Sequence, residues 1–240
     1  YNIGLGQTRL SILDLSPNGR QPMFFRKWII IFNGEIYNFK EIGKQLIGAG
    51  YELISGSDTE VILKAFDYWG IEAVHKFIGM FAFVIYHQEK ETIHIFRDRA
   101  GVKPLFYYYN NGLLLFGSEL KSFHQHPNFE KRINQDNLAL FLQYNYVPTP
   151  YSIFDNTHKL EPGSYIKIEL KKQTFKIHKY WSIESVYNQP KLNISYSEAK
   201  EELEQLLINA FSYRMVSDVP VGMFLSGGYD SSAVAAILQA

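Results

Sequence analysis

Three pairs of apolar, aromatic-rich runs joined by short polar turns constrain this fold more than any other feature. Phe81–Tyr86 and Thr92–Phe96 flank the segment His87–Glu91. Leu105–Tyr109 and Leu113–Phe116 flank Asn110-Asn111-Gly112, and Tyr165–Leu170 and Phe175–Trp181 flank Lys171-Lys172-Gln173. Runs of this length, rich in β-branched and aromatic residues and closed by turn formers, read as β-hairpins. The sheets they build are therefore antiparallel. Aromatic residues make up 16% of the chain, enough to fill a core between two packed sheets. Helical periodicity appears early. Over Phe39–Gly50 the residues Ile42, Leu46 and Ile47 share one face. Ser57 or Asp58 caps a second helix whose apolar face is Val61, Ile62, Ala65, Phe66 and Trp69, with Gly70 ending it. Asn137–Gln143 reads as a third helix. Trp28–Phe32 is a short buried strand that runs into Asn33-Gly34, a dipeptide that usually marks a turn. The first 180 or so residues thus read as an α+β layered arrangement.

The last 45 residues have a different grammar. Ser197 is expected to cap a long helix reaching about Met215, and Met223–Leu225 reads as the last turn of a buried strand. A Ser/Gly loop, Ser226-Gly227-Gly228, leads into a helix from Ser231 to Ala240. Strand, glycine loop and helix N-terminus together make an anion site, because loop N–H groups and the helix dipole point at the ligand. A carboxylate beside phosphates is repulsive unless a cation lies between them, so Asp230 implies Mg²⁺. The loop is not a Walker A motif. Ser226-Gly-Gly-Tyr-Asp-Ser231 instead resembles the pyrophosphate loop of the ATP pyrophosphatases, which cleave ATP to an adenylated substrate and pyrophosphate.

Charge and composition exclude some classes. The 24 basic and 24 acidic residues cancel, so charge gives no support to nucleic-acid binding. The longest apolar runs fall well short of a membrane span. Cysteine is absent, so within this sequence there is no disulfide, no thiolate metal ligand and no thiol nucleophile. The histidines show no metal-ligand spacing with partner acids, and His124-x-His126 reads as a loop pair. The chain opens without Met in what reads as mid-element and ends inside the helix after the phosphate loop, as a fragment of a longer protein would.

A second polar constellation lies early: Arg9, Asn33-Gly34-Glu35 and Asp58. A free amino acid carrying an amide would need an arginine for its carboxylate, acids for its ammonium, and preset N–H donors for an oxyanion at the amide carbon. Arg9 supplies the first, Glu35 and Asp58 the second, and the Asn33 side chain with the Gly34 N–H the third. Spacing alone favours the plainer reading of a hairpin turn at Asn33-Gly34, a helix cap at Asp58 and a surface arginine at Arg9.

Several segments at consistent spacing resemble the class II glutamine amidotransferase domain of glutamine-hydrolysing asparagine synthetases. They include Gly6–Leu15, Gln21-Pro-Met23, Phe32–Asn38, Ser57–Glu60, Gly79–Phe83, Arg97–Leu105 and Gly117–Lys121. Val219–Gly222 and Leu225–Ser231 carry the resemblance into the synthetase part, so it spans essentially the whole chain. It implies an N-terminal-nucleophile hydrolase fold of four layers, αββα, followed by the beginning of an α/β adenine-nucleotide domain. The corresponding division is 1–182 for the glutaminase domain, 183–196 for a linker and 197–240 for the start of the ATP-binding domain.

The same resemblance implies a carbon–nitrogen ligase acting on glutamine, aspartate and ATP with Mg²⁺. A terminal cysteine releases ammonia from glutamine, and ammonia attacks β-aspartyl-AMP to give asparagine, AMP and pyrophosphate. Carried over residue by residue, glutamine binding falls on Arg9, Leu10, Ser11, Ile12, Leu13, Asn33, Gly34, Glu35 and Asp58, with Asn33 and Gly34 forming the oxyanion hole. ATP binding falls on Leu225, Ser226, Gly227, Gly228, Asp230 and Ser231, with Asp230 reaching the metal. The resemblance implies no nucleic acid, no membrane and a cytoplasmic setting, and it leaves a homodimer open. Three departures stand out. The family's cysteine is absent, Gln7 stands where many relatives have histidine, and Tyr229 occupies a loop position where leucine is common. Two other readings remain: an amidotransferase of this scaffold acting on a sugar or specialised metabolite, and a glutaminase-like domain that only binds. Arg97-Asp98-Arg99 is expected to form a structural ion network near the domain junction.

Overall fold

The computed structural model describes residues 2–8, 14, 16–217 and 220–239. Their strands are β1 (Met23–Phe25), β2 (Trp28–Ile36), β3 (Gly79–His87), β4 (Thr92–Arg97), β5 (Phe106–Asn110), β6 (Leu113–Gly117), β7 (Thr157–Lys159), β8 (Ser164–Glu169) and β9 (Thr174–Lys179). Six of them form one sheet in the order β1-β2-β3-β4-β8-β9, and β6-β5-β7 form a second. All pairings are antiparallel. The helices are α1 (Phe39–Gly48), α2 (Asp58–Trp69), α3 (Ala73–Lys76), α4 (Gln135–Tyr144), α5 (Ile183–Tyr187), α6 (Tyr196–Tyr213) and α7 (Tyr229–Gln239).

Side-chain alternation along the strands builds the layers. Phe81, Phe83 and Ile85 of β3 point with Ile30 and Phe32 of β2 toward α1 and α2. Phe66 of α2 stands edge-on to Phe83 and Phe96, with ring centroids 5.7 and 5.4 Å apart. The intervening residues Ala82 and Val84 face the other way. They meet Ile93, Ile95, Leu105, Tyr107, Ile166 and Ile168 in a second core between the sheets. β5 repeats the device: Tyr107 faces that core, and Tyr108 faces outward onto Phe129, 5.1 Å away. Phe129 in turn packs on Phe123 and Phe154. α4 is tied to this outer layer by Asn137, whose Nδ2 donates to the Ser152 carbonyl at 2.6 Å. The succession is helix, sheet, sheet, helix, which is the expected αββα sandwich.

Several local expectations are corrected. Asn33-Gly34 is no turn, since β2 continues through it to Ile36. Gly34 permits this because a Cβ there would lie 2.1 Å from the Met80 carbonyl oxygen of β3, so only glycine lets the strands stay this close. Ile47 is 57% exposed, leaving Ile42 and Leu46 to anchor α1. α6 starts earlier than expected, capped by a Ser195/Glu198 capping box. α5 lies within the expected linker, started by the Ser182 hydroxyl on the Ser185 N–H. The buried strand expected at Met223–Leu225 does not form, and Phe224 is fully exposed. A strand buried on both faces needs hydrogen-bonded neighbours, and none of the described strands pairs with this segment. Helix α7 begins at Tyr229, so Asp230 sits in its first turn. No helix among the described residues is long and apolar enough to cross a membrane.

Candidate functional site

The end of β2 and the start of α2 bring the early constellation together. The Ser57 hydroxyl accepts the Thr59 N–H at 3.2 Å and so starts α2 at Asp58. This places the Asp58 carboxylate in the first turn, where the helix dipole favours it. Asp58 Oδ2 also accepts the Ile36 N–H at 2.9 Å, stitching helix to strand. Asp58 is only 5% exposed. Asn33, Gly34, Glu35 and Asp58 then line one cavity of about 490 Å³.

The approach to Asp58 is held by two other acids. Glu60 folds back to accept N–H groups from Ile54 at 3.0 Å and Ser55 at 2.8 Å, while Lys64 Nζ donates to it at 2.5 Å. Burial alone would raise the Glu60 pKa, but Lys64, Ser55 and these backbone donors outweigh it and leave the carboxyl below its usual range. Asp14 Oδ2 accepts the Gly56 N–H at 2.9 Å, tying the chain after residues 9–13 to the loop before Asp58. Arg9, Leu10, Ser11, Ile12 and Leu13 themselves lie outside the described residues.

The opposite wall comes from residues to which sequence reasoning gave no role. Asn33 Nδ2 donates to Ser118 Oγ at 3.0 Å, across 85 residues of sequence. Gln21 Oε1 accepts the Phe32 N–H at 2.7 Å, and its Nε2 donates to Thr59 Oγ1 at 3.2 Å. Gln7 Nε2 donates to the Phe32 carbonyl. Lys103 and Lys121 line the same cavity. Gln21 and Ser118 did fall inside segments that carry the family resemblance, which was the available signal. The cavity is therefore lined by three carboxylates (Glu35, Asp58 and Glu119), two ammonium groups (Lys103 and Lys121) and three side-chain amides (Gln7, Gln21 and Asn33). This is a donor set for a zwitterion with a polar tail.

Arg97-Asp98-Arg99 departs from the expected ion network, because its charges are spent on backbone. The Arg97 guanidinium donates to the carbonyls of Lys103, Gly101 and Leu160. Asp98 accepts N–H groups from Phe81, Ala100, Val102 and Lys103 at 2.9–3.1 Å. Arg99 donates to the carbonyls of Phe77 and His75. Together these bonds fix residues 97–103 and so place Lys103 at the cavity.

The late constellation forms a compact hydroxyl-lined loop. Gly227 has φ +79°, a conformation that favours glycine. The Ser226 and Ser231 hydroxyls lie 3.0 Å apart, and Ser231 Oγ donates to the Gly228 carbonyl at 3.1 Å. Leu225 and Asp230 are exposed. One carboxylate beside hydroxyls in a helix first turn fits a hard cation that shares its shell with phosphate oxygens. Among the described residues no three ligating side chains form a cluster that could hold a metal by themselves. The two parts of the chain touch where α6 ends. The Tyr213 hydroxyl donates to Glu41 Oε1 at 2.7 Å, and the Arg214 guanidinium lies 5.4 Å from the Tyr37 ring centroid.

The glutamine amidotransferase domain family model matches residues 1–181, and the asparagine synthase family model matches residues 202–240. The chain is similar to a Methanocaldococcus jannaschii protein provisionally named asparagine synthetase (glutamine-hydrolysing) 2. Identity is 39%, over 100% of this chain and 48% of that protein. It is also similar to Bacillus subtilis asparagine synthetase (glutamine-hydrolysing) 3, at 34% identity over 99% of this chain and 38% of that protein. The chain thus spans about half or less of the length of these relatives. Among solved structures, B. subtilis glutamine phosphoribosylpyrophosphate amidotransferase aligns at 16% identity and a TM-score of 0.49. That alignment covers 92% of this chain and 47% of the other.

Proposed function

Since the chain belongs to the glutamine amidotransferase domain family, over residues 1–181, we propose that its cavity binds glutamine for ammonia release within an asparagine-forming ligase. The observation that carries the reading is the convergence of Asn33, Gly34, Glu35 and Asp58 on one cavity. Glu35 and Asp58 hold the α-ammonium of glutamine, and Arg9 meets its α-carboxylate. Asn33 Nδ2 and the Gly34 N–H stabilise the oxyanion that forms when the side-chain amide is attacked. None of the 240 residues is cysteine. The attacking thiol that the resemblance implies therefore comes from outside this sequence. The hydrolysis turns glutamine and water into glutamate and ammonia.

The second half-reaction uses the 225–231 loop. Loop N–H groups and the hydroxyls of Ser226 and Ser231 bind the pyrophosphate end of ATP, Leu225 contacts the nucleotide, and Asp230 holds Mg²⁺. That ion, when bound, neutralises phosphate charge as the α-phosphorus is attacked. Aspartate displaces pyrophosphate to give β-aspartyl-AMP, and ammonia then displaces AMP to give asparagine. We place this work in the cytoplasm and divide the chain at 1–182, 183–196 and 197–240.

The test compares two variants of the full-length protein. Asp58→Ala should lower glutamine-dependent synthesis at least 100-fold while sparing synthesis from ammonium salts, whereas Asp230→Ala should abolish both. AMP and pyrophosphate should appear in equal amounts with asparagine. Equal loss of ammonia-dependent synthesis in the two variants, or ADP as product, would overturn the assignment.

A further inference from the structure

The helix-facing side of the large sheet is covered unevenly. α1 and α2 pack over β1, β2 and β3. Across β4, β8 and β9 the same face continues as an open groove of about 1210 Å³. Register places two cross-strand ladders on it. His94, Lys167 and Lys176 stand side by side on the three strands, as do Phe96, Tyr165 and His178. The Tyr165 and His178 rings stack with centroids 4.9 Å apart. The groove sits at the Trp28 end of β2, whereas Asn33–Glu35 line the glutamine cavity near the other end. At about 3.3 Å per residue the two are roughly 20 Å apart along the strand.

Two observations single this groove out. The first is charge. Seven of its lining side chains are lysine or arginine and three are acids, in a chain whose 24 basic and 24 acidic residues cancel. The acids are already engaged: Glu169 by Lys167 at 2.7 Å and Lys172 at 2.8 Å, and Asp67 by Arg26 at 2.6 Å. Glu89 lies 3.8 Å from Lys27. Among the described residues, Lys90 and Lys176 have no carboxylate within ion-pair distance. The second is three imidazoles. His87 Nε2, His94 Nδ1 and His178 Nε2 are buried ring nitrogens without a hydrogen-bond partner. Such orphaned atoms are rare, and they concentrate where a water or ligand belongs. The positive surroundings select an anion over a cation. Burial first, and then the charges of Lys167, His178, His87 and Lys90, hold the His94 pKa down.

We propose that this groove binds a small phosphorylated anion with two or three linked phosphoryl groups, met by Lys90, Lys167 and Lys176 above the imidazoles of His94 and His178. Strands lie about 4.8 Å apart, so the row from β4 to β9 spans about 10 Å, which suits a short polyphosphate chain better than a single phosphate. Lysine ammonium groups act there as point charges along the chain of oxygens.

The experiment is calorimetric titration of the full-length protein with sodium tripolyphosphate, pyrophosphate and inorganic phosphate at constant ionic strength. A Ser226→Ala/Ser231→Ala background weakens the loop as a competing phosphate site. One saturable site should remain, binding tripolyphosphate at least ten-fold tighter than phosphate. Lys167→Gln/Lys176→Gln should weaken it at least ten-fold without lowering the thermal midpoint. Lys90→Gln, in an exposed turn, should weaken it about three-fold and serves if the double variant folds poorly. Absence of saturable tripolyphosphate binding would overturn the proposal. So would an affinity that none of these lysine substitutions changes.

Discussion

Replacing Gly34 with alanine tests fold and chemistry at one atom. The added Cβ would lie 2.1 Å from the Met80 carbonyl oxygen and 2.7 Å from the Phe81 Cα. Both are backbone atoms of β3, so no side chain can rotate away. To restore an ordinary contact β2 must retreat by more than about 1 Å over Asn33–Glu35, the residues that line the cavity. Overpacking of this kind costs about 3 kcal/mol. A shift of about 1 Å in a reacting group costs about 100-fold in rate. In the full-length protein kcat/KM for glutamine should fall about 100-fold, with ammonia-dependent synthesis retained, because Asp230 and its loop lie on other elements. The urea midpoint of the glutaminase domain should fall in the same variant. Glutamine hydrolysis at the parent rate with an unchanged midpoint would refute the reasoning. Selective loss of stability alone would locate the strain in β2 but remove Gly34 from the site.

Two further substitutions probe the frame. Asp98→Ala strips the acceptor from four backbone N–H groups and should cost about 3–5 kcal/mol in urea unfolding; a loss under 1 kcal/mol would show these bonds are replaced by water. The His94 pKa is lowered to about 4 against about 6.5 in an unfolded chain, so between those values the unfolded state binds the extra proton. Stability is then fully present above pH 6.5 and falls as pH drops toward 4, by up to about 3 kcal/mol. Urea midpoints in phosphate-free buffer at pH 7.5 and 4.5 should show that slope, and His94→Gln should flatten it; an identical slope in the variant would remove His94 as its source.

Hairpins were the legible part of the sequence because their pairing is local. The turns at 87–91, 110–112 and 171–173 sit between runs whose partners are the next strand along. β1 and β7 were missed because each has three residues and pairs without a tight turn signal of its own. The Asn33-Gly34 expectation failed for a tertiary reason. The dipeptide's turn preference yields to the pairing of Gly34 with Phe81, a strand 47 residues away. The same long range hid Ser118 and Gln21, whose hydrogen bonds to the Asn33 side chain and the Phe32 backbone depend on which loops the fold folds over β2. The expected strand at 223–225 failed in the opposite direction, since its apolar run had no described neighbour to bury it.

The close of α6 against the first part of the chain has a mechanical consequence. Asp58 grips the Ile36 N–H, and the next residue, Tyr37, lies under the Arg214 guanidinium. Glu41, four residues further on, receives the Tyr213 hydroxyl. The floor of the cavity and the seat of α6 are thus successive links of one short, stiff stretch. Residues 35–41 serve the cavity wall and the seat of α6 at once, so a substitution in this stretch touches both.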